Sequence, residues 1–285
     1  MKTIIPFLLG RYLNLMAVLR PSHCAAAGFR IFCYPIRIGL KPYQLKFLNS
    51  ARQRTLTHES LDIRVYEWGN GPRKVLLLHG WQSHSFRWKN FVESFSPEEF
   101  TVVALDAPGH GQSKGSKLTV PLYSDVVEKL IREEGAFDVI ISHSLGSFTA
   151  LYALYRTPTL PVGKLVLLAP PGEATEFLSF YQKSLGLSAQ TVSKIKTHFS
   201  SVIGKEVEFF SASTFADQIA QPGLIIHDED DKETSLANSV AINRSWKNSR
   251  LVVTTGLGHN LKSQEVIDEV LRFVNEEHYA LQQTL

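Results

Sequence analysis

The chain has 285 residues, of which 44% are hydrophobic and 20% are charged. This composition is that of an ordinary globular protein, and it excludes a disordered tail, a collagen-like repeat and a coiled coil. The only cysteines are Cys24 and Cys33. Two thiols are too few for a disulfide framework or for a zinc site built mainly from cysteine, so we expect a core that is stable without such cross-links.

The charges are distributed unevenly along the chain. Residues 1–58 contain nine Lys or Arg and no Asp or Glu, whereas the formal net charge of the whole chain is only +3, which leaves −6 on the remainder. The sequence therefore predicts a basic N-terminal segment joined to a mildly acidic body. No nucleic-acid-reading motif accompanies the basic residues, so we expect no nucleic-acid partner.

The first predicted element is an apolar helix over residues 4–19. It is too short for a membrane span and carries Arg11 in mid-run. Gly10, Arg11 and Asn14 would share one narrow polar stripe, and the remaining faces would be apolar, which implies burial against a partner. We predict a helical arm over residues 1–55, docked on the body, on a second copy of the chain or on a membrane surface; a removed targeting peptide also stays open. The expected location is cytoplasmic, with peripheral membrane association left open for residues 1–50.

From residue 62 onward, short apolar runs alternate with longer helical patterns. The predicted strands are 62–68, 74–79, 101–105, 137–142, 164–169, 223–227 and 250–254, and the predicted helices are 86–96, 119–134, 145–156, 235–246 and 263–280. Such alternation indicates an α/β fold with a mostly parallel sheet flanked by helices. In these sheets, ligands bind at the carboxyl ends of the strands.

One interval interrupts the alternation. More than fifty residues separate the strand at 164–169 from the strand at 223–227, and this interval is rich in phenylalanine. We predict a small helical cap over residues 171–220, inserted into a core formed by residues 56–170 and 221–285. Most of its aromatic side chains are expected to attach the cap to the core, and the others to line an apolar pocket.

The segment Ser142-His143-Ser144-Leu145-Gly146 joins a predicted strand to a predicted helix. A serine at such a sharp turn has a strained backbone and an accessible hydroxyl. Here the sequence resembles the α/β-hydrolase superfamily, over roughly residues 60–280. The nucleophile pattern of that superfamily is Gly-x-Ser-x-Gly, and in this chain Ser142 takes the place of the first glycine. The resemblance implies the α/β-hydrolase fold and makes Ser144 the nucleophile.

Two further motifs fit this resemblance. His79-Gly80-Trp81 ends a strand, and by resemblance the backbone N–H groups of Trp81 and Leu145 form the oxyanion hole. The segment Asp106–Ser113, which reads DAPGHGQS, resembles a tight turn of the superfamily. We interpret this turn as structural, and its His110 likewise.

The acid and the histidine that would act with Ser144 come from the C-terminal third of the chain. The segment 227–231, which reads HDEDD, resembles a His-Gly-x-x-Asp pattern and places the triad acid at Asp231, with Asp228 in the glycine position. Asp230 stays open as the alternative acid. The segment 256–260, which reads GLGHN, supplies His259. The order Ser144, Asp231, His259 is the one expected for this fold.

The resulting hypothesis is a serine hydrolase that cleaves a carboxylic ester or a thioester of a small acyl substrate through an acyl-enzyme. It needs no cofactor and no metal. A C–C bond hydrolase or a perhydrolase would use the same triad. A non-catalytic binding protein of this fold and a membrane-associated lipid hydrolase also stay open.

Overall fold

The computed structural model describes residues 4–282, with eight strands and eleven α-helices in that part of the chain. The strands are β1 Arg52–His58, β2 Leu61–Trp68, β3 Arg73–Leu78, β4 Phe100–Leu105, β5 Phe137–His143, β6 Val162–Leu168, β7 Gly223–Asp228 and β8 Ser249–Thr254. The helices are α1 Ile4–Leu19, α2 Pro21–Phe32, α3 Pro42–Leu48, α4 Lys89–Ser94, α5 Val120–Glu134, α6 Leu145–Arg156, α7 Ala174–Leu185, α8 Ala189–Ile203, α9 Ala212–Ala216, α10 Leu236–Ser245 and α11 Gln264–Gln282. None of them combines the length and hydropathy needed to cross a bilayer.

The eight strands form one sheet in the order β1-β2-β4-β3-β5-β6-β7-β8. Strands β3 to β8 pair in parallel, whereas β2 pairs antiparallel with both β1 and β4. Because β3, β5, β6 and β7 lie in the middle of the sheet, their side chains are buried on both faces, which explains their continuous apolar runs. The predicted α/β fold with a mostly parallel sheet is confirmed.

Strand β1 is the element that the sequence did not predict. It is an edge strand of seven residues, and only Leu56 among them is buried. Its other positions carry arginine, glutamine, threonine and histidine, which suit an exposed edge but do not give an apolar run. The pairing with β2 therefore depends on the tertiary context rather than on a local hydrophobic pattern.

The chain divides into two units, and each has its own packing. The larger unit comprises Pro35–Gly172 and the residues from Ala212 onward. In this unit, α5 packs on α6, α9 packs on α6 and α10, and α4 packs on α11. One face of its sheet buries a cluster that includes Val75, Leu77 and the apolar side chains of α11.

The smaller unit consists of the described residues up to Tyr34 together with Glu173–Ser211. Helix α1 packs against α2, α7 and α8, and α2 packs against α8. The small unit therefore combines two helices from the N-terminal segment with two helices from the middle of the chain.

Candidate active site

Ser144 lies at a sharp turn between β5 and α6, with φ 52° and ψ −122°. A non-glycine residue in this region of φ is strained, and such strain persists only where the surroundings enforce it. Here the N–H of Ser144 donates to the carbonyl oxygen of Leu168 on β6, at 2.9 Å. A methyl group on Gly146 would come within 2.3 Å of the carbonyl oxygen of Leu78 on β3, so glycine is required where α6 crosses the sheet. Ser144 itself is half-buried, as an accessible nucleophile requires.

Ser142 occupies the position where the superfamily pattern has glycine. Its side chain is fully buried, and its hydroxyl donates to the carbonyl oxygen of Val166 at 2.9 Å. It also lies 3.2 Å from the hydroxyl oxygen of Ser147 in the first turn of α6. A buried hydroxyl is tolerated when it is hydrogen-bonded, so this departure from the pattern leaves the turn intact.

Asp231 and His259 form a hydrogen-bonded pair after β7 and β8. The Oδ2 atom of Asp231 lies 2.7 Å from Nδ1 of His259, and the carboxyl side chain is fully buried. Because a carboxylate only accepts, Nδ1–H of His259 is the donor, and Nε2 of the same ring is left as a proton acceptor. The hydroxyl of Thr234 also donates to Oδ2, at 2.8 Å, and the N–H groups of Glu233 and Thr234 donate to Oδ1.

These contacts set the charge of the pair. Burial raises the pKa of Asp231, but the hydrogen bonds from Thr234, His259 and Glu233 outweigh burial and leave that pKa below its usual value. The carboxylate is therefore charged at neutral pH, which favours the Nδ1–H tautomer of His259 and stabilises its imidazolium.

Asp230 has a different environment. It is exposed, and its Oδ2 atom accepts the N–H of Gly256 at 3.1 Å. The structure thus brings Asp231 rather than Asp230 to the imidazole of His259, although the two residues are adjacent in the chain.

His143 connects the loop of His259 to the serine turn. Its Nε2–H donates to the carbonyl oxygen of His259 at 2.8 Å, and the two imidazole rings lie 4.8 Å apart between centroids. Burial, with Arg87 and His259 nearby, lowers the pKa of His143 well below its usual value. A neutral His143 therefore holds the backbone of His259 close to the turn that carries Ser144. Sequence reasoning assigned no role to His143.

Asp228, which stands in the glycine position of the superfamily pattern, anchors the same loop. It is fully buried, and it accepts hydrogen bonds from the N–H groups of Leu257 and Gly258 and from the hydroxyl of Thr254. The loop that carries His259 is thereby attached to the end of β7. The departure from the pattern was the sequence signal for this role, but only its hydrogen bonds reveal it.

The predicted oxyanion donors flank Ser144. A methyl group on Gly80 would lie 3.0 Å from Cβ of Ser144, so the segment that carries Trp81 runs directly past the serine. Leu145 is the first residue of α6, and the first N–H groups of a helix have no partner within the helix. Their assignment as oxyanion donors stays a prediction.

His110 holds the segment that carries Trp81 and Gln82. Its Nε2 accepts the N–H of Gln82 at 3.0 Å, and its Nδ1 donates to the carbonyl oxygen of Pro108. The ring also meets the indole of Trp81 edge to face, with centroids 5.6 Å apart. Both ring nitrogens are used in holding the loop, which fits a structural histidine. Burial lowers its pKa, so the ring is neutral at pH 7.

Comparison with known proteins shows which group the chain resembles. A family model described as serine aminopeptidase, S33, matches residues 71–205, a segment that contains Ser144 but not Asp231 or His259. The solved structure of an esterase from Rhodococcus superposes with a TM-score of 0.60 at 16% identity, over 79% of this chain and 98% of that one. The chain belongs to the α/β-hydrolase superfamily. The fold and the superfamily inferred from the sequence are both confirmed.

Curated relatives of this α/β-hydrolase align over shorter stretches. A bifunctional esterase/perhydrolase of Acinetobacter calcoaceticus is 32% identical over 121 residues, which are 40% of this chain and 44% of the relative. A pimeloyl-[acyl-carrier protein] methyl ester esterase of Nitrosomonas europaea is 35% identical over 108 residues, 38% of this chain and 40% of the relative. The chain thus matches less than half the length of these relatives.

Metal ligation is not supported by the placement of side chains in this α/β-hydrolase. Among the side chains that the structure describes, no three or more His, Cys, Asp or Glu come together in a group that could hold a metal ion. The acidic side chains around His259 are instead used in hydrogen bonds to the backbone of the loops that follow β7 and β8.

Proposed function

We propose that this α/β-hydrolase is a serine hydrolase that cleaves a carboxylic ester or a thioester through an acyl-enzyme intermediate. The observation that carries the proposal is the 2.7 Å hydrogen bond between Asp231 and His259, on a loop attached through His143 to the strained turn of Ser144. A strained serine, an imidazole whose Nε2 is left as the proton acceptor, and a buried carboxylate are the three parts that activate a hydroxyl for attack.

In the acylation half, Oγ of Ser144 forms a bond to the substrate carbonyl carbon while Nε2 of His259 takes the hydroxyl proton. The N–H groups of Trp81 and Leu145 stabilise the resulting oxyanion. The tetrahedral species then collapses, the C–O or C–S bond breaks, and the alcohol or thiol leaves with the proton from Nε2.

In the deacylation half, a water molecule gives a proton to Nε2 of His259 and attacks the acyl carbon. Collapse releases the carboxylic acid, and the proton returns to Oγ of Ser144. Throughout both halves, Asp231 remains charged and stabilises the imidazolium of His259.

An ester or thioester is the favoured bond because the two relatives described above, from Acinetobacter calcoaceticus and Nitrosomonas europaea, are named for ester hydrolysis. The name of the family model instead includes an aminopeptidase. The assay therefore sets p-nitrophenyl esters of increasing acyl length against amino-acid p-nitroanilides. We expect turnover of the esters and at least about a hundredfold less of the anilides. The reverse preference would overturn the assignment of the ester bond.

The test of the nucleophile is labelling by a fluorophosphonate, which reacts with an activated serine. We expect wild-type protein to be labelled at Ser144 and the Ser144→Ala variant to be unlabelled and inactive. The matched control is Ser142→Ala, two residues away on the same turn, which should still be labelled. A folded wild-type protein that neither reacts nor hydrolyses any ester would indicate a non-catalytic binding protein instead.

Perhydrolysis is a second candidate, and the bifunctional relative from Acinetobacter is the observation that favours it. In this reaction hydrogen peroxide replaces water, attacks the acyl-enzyme and leaves as a peracid. Peracid formed from an ester plus hydrogen peroxide, abolished in Ser144→Ala, would support it. Hydrolysis unaffected by peroxide, without peracid, would limit the activity to ester cleavage.

A further inference from the structure

Helix α1 exposes large apolar side chains over a continuous arc. Seven of them have exposed fractions between 45% and 72%. They are Ile5, Phe7, Leu8, Tyr12, Leu15, Val18 and Leu19. At 100° per residue these positions cover about 160° of the helix, an arc that also contains the exposed Arg11. Helices at a protein surface normally expose polar side chains and bury apolar ones. We term this exposed arc the α1 apolar face, and its exposure indicates that it binds a partner.

The orientation of α1 is fixed by residues that lie outside this arc. A methyl group on Gly10 would lie 1.6 Å from the carbonyl oxygen of Leu185 at the end of α7, so the two backbones are in direct contact there. The amide of Asn14 donates to the carbonyl oxygen of Gly186 at 2.9 Å and accepts the N–H of Ser188 at 2.8 Å. The helix cannot rotate to bury its apolar face without breaking these contacts.

The charged side chains of the N-terminal helices all have one sign. Residues 1–34 carry four basic side chains and no acidic one, and Arg11, Arg20 and Arg30 are all exposed. In the remainder of the small unit, Glu173–Ser211, four basic residues are balanced by four acidic ones. The positive charge of the unit is thus concentrated on the two N-terminal helices, one of which bears the α1 apolar face.

We propose that the α1 apolar face binds the surface of an anionic phospholipid bilayer. An apolar arc with interspersed arginine is the composition of a helix that lies in the plane of the interface, where apolar side chains reach the acyl boundary and basic side chains meet phosphate groups. With 16 residues, α1 is too short to span the bilayer, which agrees with an in-plane orientation.

A second copy of the chain fits this face less well. A two-fold interface would place the same patch of both copies together. Arg11 would then meet a surface from a segment that has no acidic residue to neutralise it. Phospholipid phosphates supply the missing negative charge.

The experiment is co-sedimentation of the full chain with phosphatidylcholine vesicles that contain or lack phosphatidylglycerol. We expect wild type to bind the anionic vesicles and Leu8→Gln/Leu15→Gln to bind them at least about tenfold more weakly. Arg11→Gln should weaken binding about fivefold on anionic vesicles only. The matched control, Val240→Gln/Val253→Gln, changes two apolar side chains that are comparably exposed but lie elsewhere, and it should bind as wild type does.

Several results would overturn the proposal. One is wild-type protein that remains in the supernatant with anionic vesicles. Another is Leu8→Gln/Leu15→Gln protein that binds the vesicles as tightly as the control variant does. The third is a wild-type protein that is dimeric and becomes monomeric on the Leu8→Gln/Leu15→Gln substitutions, with no change in vesicle binding. Thermal unfolding checks that each variant is folded. Vesicle binding requires no turnover, so Ser144→Ala should bind as wild type does whether or not the proposed hydrolysis is correct.

Discussion

Asp228 offers a direct test of how the His259 loop is held. Its Oδ1 atom accepts the N–H groups of Gly258 and Asp230, at 2.9 and 3.1 Å, and its Oδ2 atom accepts the N–H of Leu257 and the hydroxyl of Thr254, at 3.0 and 2.8 Å. In Asp228→Asn, one of these oxygens becomes an amide nitrogen that cannot accept. The least costly orientation places the nitrogen beside Thr254, whose hydroxyl is able to turn and accept from it.

The N–H of Leu257 then loses its acceptor. Leaving a buried N–H unpaired costs about 1–3 kcal/mol, and for the half-buried Leu257 we expect the lower end of that range. The hydrogen bonds that the remaining amide oxygen accepts also weaken, because that oxygen is no longer charged. We therefore expect Asp228→Asn to lower the free energy of unfolding by about 2–3 kcal/mol at pH 7. The hydrolysis rate should also fall, since the loop positions His259.

Urea unfolding together with p-nitrophenyl ester turnover measures both effects. The matched control is Asp230→Asn, since Asp230 is exposed and its single bond to the N–H of Gly256 can be kept by the amide oxygen. The control should stay within about 0.5 kcal/mol of wild type. If Asp228→Asn were equally stable and equally active, the reasoning that this carboxylate positions the loop would be refuted.

Three further predictions concern the same unit. Asp231→Asn should reduce kcat about 10³–10⁴-fold through the wrong His259 tautomer, whereas Asp230→Asn should keep kcat within a few-fold; equal losses would contradict the choice of acid. Hydrogen bonds leave the pKa of Asp231 below its value in the unfolded chain. The charged carboxylate therefore stabilises the fold above about pH 4, and this stabilisation is lost as the pH falls through the folded pKa. The free energy of unfolding, measured over an acid titration, should accordingly depend less on pH in Asp231→Asn than in wild type. Gly146→Ala should impair folding, measured by soluble yield and thermal unfolding, because the new methyl group would lie 2.3 Å from the carbonyl oxygen of Leu78, whereas Gly39→Ala, with no atom within 4 Å, should be neutral.

Local sequence patterns were sufficient to predict the central strands. Strands β3, β5, β6 and β7 are buried on both faces and therefore consist of continuous apolar runs that are visible without a structure. The serine turn was equally visible, because a strained turn between a strand and a helix requires a small set of residue types. The edge strand β1 gave no such signal, since an exposed edge needs few apolar side chains.

The sequence by itself determined the α/β alternation and the chain order of the serine, aspartate and histidine motifs, since both follow from local composition and motif spacing. Only the tertiary structure decided which of two adjacent aspartates meets the imidazole, because a loop's direction is set by the hydrogen bonds it makes with other loops. It also decided which side of α1 is exposed. The apolar pattern required a buried face. In the structure that face points outward, because Gly10 and Asn14 contact the end of α7 and the residues that directly follow it.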